Sequence, residues 1–266
     1  MKQLIVLAMT VCLLMTATAD RPEIISLFGE EGEAIPMYFQ AEDGLTVLSC
    51  HVILDIGPGS WNCLLLYAEV RNDGDVPVEP ECIVYISDDT DEEPYYWYLG
   101  DCVPNIVLPG QTAYIYDTVE LLYYCEERGW DDVDKRSLRD ICVRFDDYIW
   151  IEIPEEPEAA PSVTAVVEEI APPEEPSWVW QALRVTITND SDEALVNPGI
   201  AVGAYDAQGR LLYGPWTTWF NGFGNDERLI VPAGGSLVAD LYVHEEDGAF
   251  MDACGLEAVE YRCLVY

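Results

Sequence analysis

The chain has 266 residues, half of them hydrophobic, and carries 50 Asp and Glu against 12 Lys and Arg, a formal charge of −38. That apolar fraction excludes wholesale disorder. The charge excludes nucleic acid and anionic membrane as partners, because binding them requires Lys and Arg to neutralise phosphates, and it favours cationic partners and divalent cations.

The chain opens with Lys2, an apolar run from Leu4 to Met15 and the small-residue site Ala17-Thr18-Ala19. These features predict a secretory signal peptide over residues 1–19, cleaved before Asp20. The apolar run is too short to span a bilayer, and no later stretch approaches the ~20 apolar residues that spanning requires, so the mature protein is expected to be secreted, without a membrane span.

Short strands separated by turn signals follow, taken in order as Ile35–Gln40, Leu45–Ile56, Trp61–Arg71, Cys82–Ser87, Tyr95–Leu99 and Gln111–Tyr124. In the third, Leu64, Leu66, Ala68 and Val70 share one face, because strand side chains alternate. Glu126–Arg139 is expected to hold a short helix or long loop, and Ile141–Ile153 returns to strand. Pro154–Pro161 is a Pro/Glu linker, stiffened by its prolines and extended by like charges. Beyond it, strands are expected at Ser162–Ile170, Trp178–Thr188, Ile200–Tyr205, Leu211–Phe220, Ser236–His244 and Leu256–Tyr266, with a loop or helical turn over Glu245–Cys254.

The two halves read as one pattern written twice. Strand, then Asn72-Asp73-Gly74-Asp75, then strand becomes strand, Asn189-Asp190-Ser191-Asp192, strand; Leu108-Pro109-Gly110 answers Val231-Pro232-Ala233; and Ser137–Arg144 answers Gly255–Arg262. The expected fold is therefore all-β: two tandem antiparallel immunoglobulin-like β-sandwiches after a signal peptide, over residues 20–153 and 162–266 with the linker 154–161 between them. One large barrel is the alternative.

Val185-Thr186-Ile187-Thr188-Asn189-Asp190-Ser191-Asp192 followed by Val202-Gly203-Ala204-Tyr205-Asp206-Ala207-Gln208-Gly209 resembles the FxLYD domain, an immunoglobulin-like β-sandwich of exported bacterial proteins. The Tyr-Asp pair falls on Tyr205 and Asp206, and the Phe and Leu positions hold Val202 and Ala204. In the first half Val84 and Ile86 are the apolar pair, followed by Asp88. The resemblance implies a structural motif, no enzymatic activity and no catalytic residue.

Several constellations carry potential chemistry. Of the nine cysteines, Cys12 lies in the leader and an even number remain, which in an exported chain reads as disulfides. If bridges stay within each half, Cys254 pairs with Cys263. The connectivity of Cys50, Cys63, Cys82, Cys102, Cys125 and Cys142 stays open. No Cys-x-x-Cys spacing supports zinc, and no cofactor is expected. The acidic loop Asp88–Glu93 offers carboxylates for calcium, but it departs from the EF-hand spacing. It is expected to be a solvated hairpin tip, with Asp88→Asn plus Asp91→Asn near neutral or mildly stabilising. Tyr95, Tyr96 and Trp97, and in the second half Trp216, Trp219 and Phe220, either fill a core or grip a protein or glycan partner. His51 and His244 sit in no nucleophile motif.

The leading reading is a non-enzymatic exported binding or surface-interaction protein. A secreted hydrolase with an unidentified carboxylate pair and a structural spacer are the alternatives. One consequence follows from charge alone. Too few Arg and Lys exist to pair the carboxylates, so self-repulsion opposes the compact state. Salt screens it over ~10 Å at 0.1 M. The melting temperature is expected to rise with added NaCl, and a fall between low and high salt contradicts this.

Overall fold

The computed structural model describes residues 23–26, 35–41, 43–55, 62–90, 93–99, 102–129, 138–147, 162–174, 177–196, 198–217 and 230–266. The expected signal peptide and the linker 154–161 lie outside them. The first half comprises β1 (Glu23–Ser26), β2 (Met37–Ala41), β3 (Leu45–Asp55), β4 (Cys63–Asn72), β5 (Pro80–Asp88), β6 (Tyr95–Leu99), β7 (Cys102–Val103), β8 (Thr112–Glu120), α1 (Leu121–Arg128) and β9 (Leu138–Asp147). The second comprises β10 (Val163–Ile170), β11 (Val179–Asn189), β12 (Leu195–Val196), β13 (Ile200–Tyr205), β14 (Leu211–Thr217), β15 (Ile230–Val231), β16 (Ser236–His244), α2 (Glu245–Cys254) and β17 (Glu260–Val265). The fold is all-β, and among the described residues the strands pair antiparallel except β2, which runs parallel to β9.

Two sheets face each other in each half. In the first, β1-β3-β4-β8-β7 packs on β2-β9-β5-β6; in the second, β10-β11-β16 packs on β14-β13-β17. Alternation decides what each core receives. Leu64, Leu66, Ala68 and Val70 of β4 point into the first core with Cys50, Val52 and Ile115 of the same sheet and Val84, Ile86 and Val143 of the facing one. Leu183, Val185 and Ile187 of β11 do the same in the second core, against Ile200 and Val202.

The other face of β4 is buried as well. Cys63, Leu65 and Tyr67 join Ile53 and Tyr114 in a cluster whose remaining members, Ala201, Tyr205, Leu211, Tyr213 and Met251 among them, come from the second half. The halves therefore pack directly, and the four sheets stack in the order β2-β9-β5-β6, β1-β3-β4-β8-β7, β14-β13-β17, β10-β11-β16. This explains why β4 is apolar at nearly every position rather than at alternate ones: it is covered on both faces.

Several polar groups within this seam are hydrogen-bonded. The Tyr114 and Tyr205 hydroxyls lie 2.8 Å apart, the Leu211 amide donates to Ser49 Oγ at 3.0 Å, and Tyr213 donates to Asp247 at 2.8 Å. Glu69 lies here too. Burial raises its carboxyl above the ordinary range, and the Tyr205 hydrogen bond and Arg262 charge oppose that without overcoming it. The folded protein thus keeps the Glu69 proton at a pH where the unfolded chain, at about 4.3, has released it. Stability is expected to fall as pH rises through that window, and Glu69→Gln is expected to flatten the fall. Urea midpoints between pH 4 and 7 check it, and an unchanged slope in the variant refutes it.

The turns show one device used twice. At the end of β4, the Asn72 side chain donates to the carbonyls of Val76 (2.8 Å) and Val107 (2.9 Å) and accepts from the Gly74 amide. At the end of β11, Asn189 donates to Glu193 (2.7 Å) and Val231 (3.2 Å) and accepts from the Ser191 amide. Each is an Asx turn that also ties down the crossing strand. The isolated Val78–Val107 bridge occupies in the first half the place that the β12–β15 pair occupies in the second.

Two boundaries differ from expectation. The run Gln111–Tyr124 leaves sheet at Glu120, and α1 begins at Leu121, because Leu121, Tyr124 and Cys125 recur at helical spacing and bury one face. Glu245–Cys254 is likewise a full helix, with three acids in its first turn and Gly255 at φ 69° ending it.

Candidate binding face

β6 is an edge strand, paired only with β5 among the described residues. Its aromatic run splits by alternation. Tyr95 and Trp97 turn inward and pack against the first core. Tyr96 and Tyr98 turn outward and are 54% and 56% exposed. The outer face of the sheet continues across register rows: Tyr96 beside Tyr85 beside Cys142, and Tyr98 beside Ile83 beside Arg144.

The rings form a graded surface rather than a flat one. Tyr96 meets Tyr98 edge to face at 5.7 Å and Tyr85 at 6.2 Å. At the strand's other side Trp97 stacks on Tyr123 of α1 at 6.4 Å, and Tyr123 and Leu122 are both 53% exposed. Arg144 lies at the margin with its guanidinium on Asp146 at 2.7 Å, and the centre of the face is apolar and aromatic. Such a surface gives large contact area at low entropic cost.

The other sequence candidates fall elsewhere. Asp88 is not at a solvated tip: it is 3% exposed. One carboxylate oxygen accepts from the Tyr124 hydroxyl at 2.6 Å and pairs with Arg128 Nε at 3.0 Å. The other accepts from the amide and hydroxyl of Thr90. Its donors are all protein groups, which corrects the expectation that Asp88→Asn is near neutral. Asp91 and Glu92 lie outside the described residues. Among those residues, no three His, Cys, Asp or Glu side chains are grouped to hold a metal.

His244 caps α2, its Nδ1 accepting from the Glu246 amide at 3.2 Å while the ring stacks on Trp178 at 5.3 Å. His51 is buried on β3. The side chains of Trp216, Trp219 and Phe220 lie outside the described residues.

Cys254 and Cys263 are thiols in this structure, and they face different compartments. Cys254 ends α2 in the seam, whereas Cys263 sits opposite Val202 on β17 and packs toward the second core. The sheet β14-β13-β17 lies between those two compartments, and that separates the pair expected from the sequence. Burial pushes the Cys263 thiol up to about 12.

The sequence signal that reveals the seam is the unbroken apolar run Cys63–Ala68. The signal for the aromatic face is the alternation of β6, with Tyr85 added by register.

No protein-family model matches the chain, and no curated protein matches its sequence. Among solved structures, it is similar to the crystal structure of red sea bream transglutaminase at 12% identity and a TM-score of 0.23. The match covers 76% of this chain and 27% of that one, so the chain spans about a quarter of the length of the structure it matches.

Proposed function

We propose that this chain is a non-enzymatic exported binding protein, built of one FxLYD-like, immunoglobulin-like β-module written twice, that grips its partner through the tyrosine face around β6. The observation that carries the reading is the outward pair Tyr96 and Tyr98 on an edge strand, each more than half exposed. Exposed aromatic side chains grouped on one sheet edge mark interaction sites, because a contiguous apolar patch can be removed from water by one partner. The module repeat is supported by the two Asx turns, by the helix that follows β8 and β16 alike, and by Asp88 and Asp206, which accept from the amides two residues on, Thr90 and Gln208. The leader pattern at residues 1–19 supports export, whereas the expected disulfides do not, since the eight cysteines behind it are thiols.

Capture experiments with the mature protein on the native extracellular fraction test the reading. Tyr96→Ala with Tyr98→Ala is expected to lower capture of any specific ligand by about 30-fold or more, the scale of a lost aromatic hot spot. The melting temperature should stay near wild type, because both side chains are surface groups. Capture unchanged by the pair sinks the proposal.

A further inference from the structure

The seam between the halves is the one place where the structure shows what these sheet faces do when they meet. There, the outer face of β14-β13-β17 lies on the outer face of β1-β3-β4-β8-β7. The first half owns a counterpart of the docking face, β2-β9-β5-β6. The second half owns a counterpart of the receiving face, β10-β11-β16. Both counterparts lie at the ends of the four-sheet stack and face outward.

Register makes the correspondence residue by residue. The Asn72 amide donates to Gln111 and the Asn189 amide to Gly235. Counting on from those anchors, Val238 stands where Tyr114 stands. The Asp88 and Asp206 turns place Tyr85 where Gly203 stands. In the seam, Tyr114 is fully buried against Gly203, where an added Cβ would lie 3.2 Å from the Tyr114 ring. Large on the receiving sheet therefore meets small on the docking sheet. At the free ends the sizes are exchanged: Tyr85 is the large residue of the docking face and Val238 the small one of the receiving face. Each mismatch is complementary to the other.

The free receiving face is also apolar for an outer one. Val166 and Val238 flank Thr186 in one register row and are 57% and 52% exposed. In the next row Arg184 bonds both oxygens of Asp240 at 2.8 and 2.9 Å, so its charge is balanced, as Arg144 is by Asp146 on the docking face. Glu168 stands in the same row as Arg184, and Glu81 and Asp140 lie on the docking face, so both faces keep some negative charge that salt must screen before two copies meet.

We propose that the tyrosine face of one copy docks on the β10-β11-β16 face of a second copy, repeating between molecules the sheet-on-sheet contact that joins the halves within one. This rests on the binding role given above to the tyrosine face, and it names the partner. A contact between two different faces is heterologous, so it extends head to tail rather than closing as a symmetric dimer.

Sedimentation equilibrium of the mature protein from about 1 to 500 μM, a span suited to weak contacts, tests it. Roughly 0.5 M NaCl shortens the repulsion to a few ångströms. The average mass is expected to rise continuously with concentration. Tyr96→Glu with Tyr98→Glu blocks the docking face, and Val166→Glu with Val238→Glu blocks the receiving face. Each variant alone is expected to stay monomeric. Mixed in equal amounts, they are expected to form dimers and nothing larger, because each keeps the face the other lacks; that recovery also shows both to be folded. A wild type that stays monomeric throughout overturns the inference. So does loss of association in the tyrosine variant but not in the valine variant, with no recovery on mixing, which is the mark of a symmetric contact along β6. If the wild type is monomeric while the tyrosine face still captures an extracellular ligand, the self-docking fails and the binding role stands; if neither occurs, both fail.

Discussion

Asp88→Asn is expected to destabilise the protein by about 3 kcal/mol, the cost of removing one partner of a buried ion pair and stranding the other. Arg128 and Asp88 are 10% and 1% exposed at the side chain. Arg128 also donates to the Glu93 carbonyl at 2.7 Å and lies over the Tyr124 ring. The pair therefore clamps α1 to the start of the loop before β6. For a fold of this size the loss corresponds to a fall in melting temperature of roughly 6–12 °C. Asp89→Asn, at an exposed neighbour, is the control and is expected to be silent.

The same site fixes a pH dependence. Burial by itself raises the Asp88 carboxyl, but the Thr90 and Tyr124 hydrogen bonds and the Arg128 charge outweigh it, and the net shift is downward. A depressed carboxyl adds stability that is present above the unfolded value, about 3.9, and is lost as pH falls through the lower folded value. The gap between wild type and Asp88→Asn should accordingly be widest near neutrality and narrow below about pH 4. Denaturant midpoints across that range measure it. A constant gap removes the charged pair as its cause.

How much of this was legible in the sequence depends on which interactions are local. The strands were, because alternation and turn residues act over a few positions: Tyr95–Leu99 falls where its aromatic composition puts it, and Asn72 and Asn189 end their strands as Asx-forming residues do. The role of Asp88 was not. Its partner Arg128 lies 40 positions on, in a helix whose start was hidden within an apolar run, and a carboxylate among many carboxylates shows no sign of the one guanidinium it meets. The seam was half legible. The continuous apolar stretch in β4 announces a strand covered on both faces, but not that the cover is the second half of the same chain. The tyrosine face was named in part: Tyr96 stands in the aromatic run, whereas Tyr85 joins it only through the pairing of β5 with β6.

The seam itself yields the second large effect. Tyr114→Ala is expected to cost about 4 kcal/mol, the usual scale for deleting a buried aromatic ring, with a drop in melting temperature of roughly 8–16 °C. Tyr114 has no exposed surface, touches Gly203 from across the seam and shares a 2.8 Å hydrogen bond with Tyr205. Truncation leaves a cavity between two sheets that are each held by a core of their own, and deprives the Tyr205 hydroxyl of one of its buried partners. Because each half keeps that core, the loss falls on the coupling between halves rather than on either half alone. Calorimetry is therefore expected to show one cooperative transition in the wild type and two in Tyr114→Ala. Tyr114→Phe retains the ring and loses only the hydroxyl, so it should cost about 1–2 kcal/mol and keep the single transition. If Tyr114→Ala melts in one step with an unchanged midpoint, the halves do not depend on the seam for their stability.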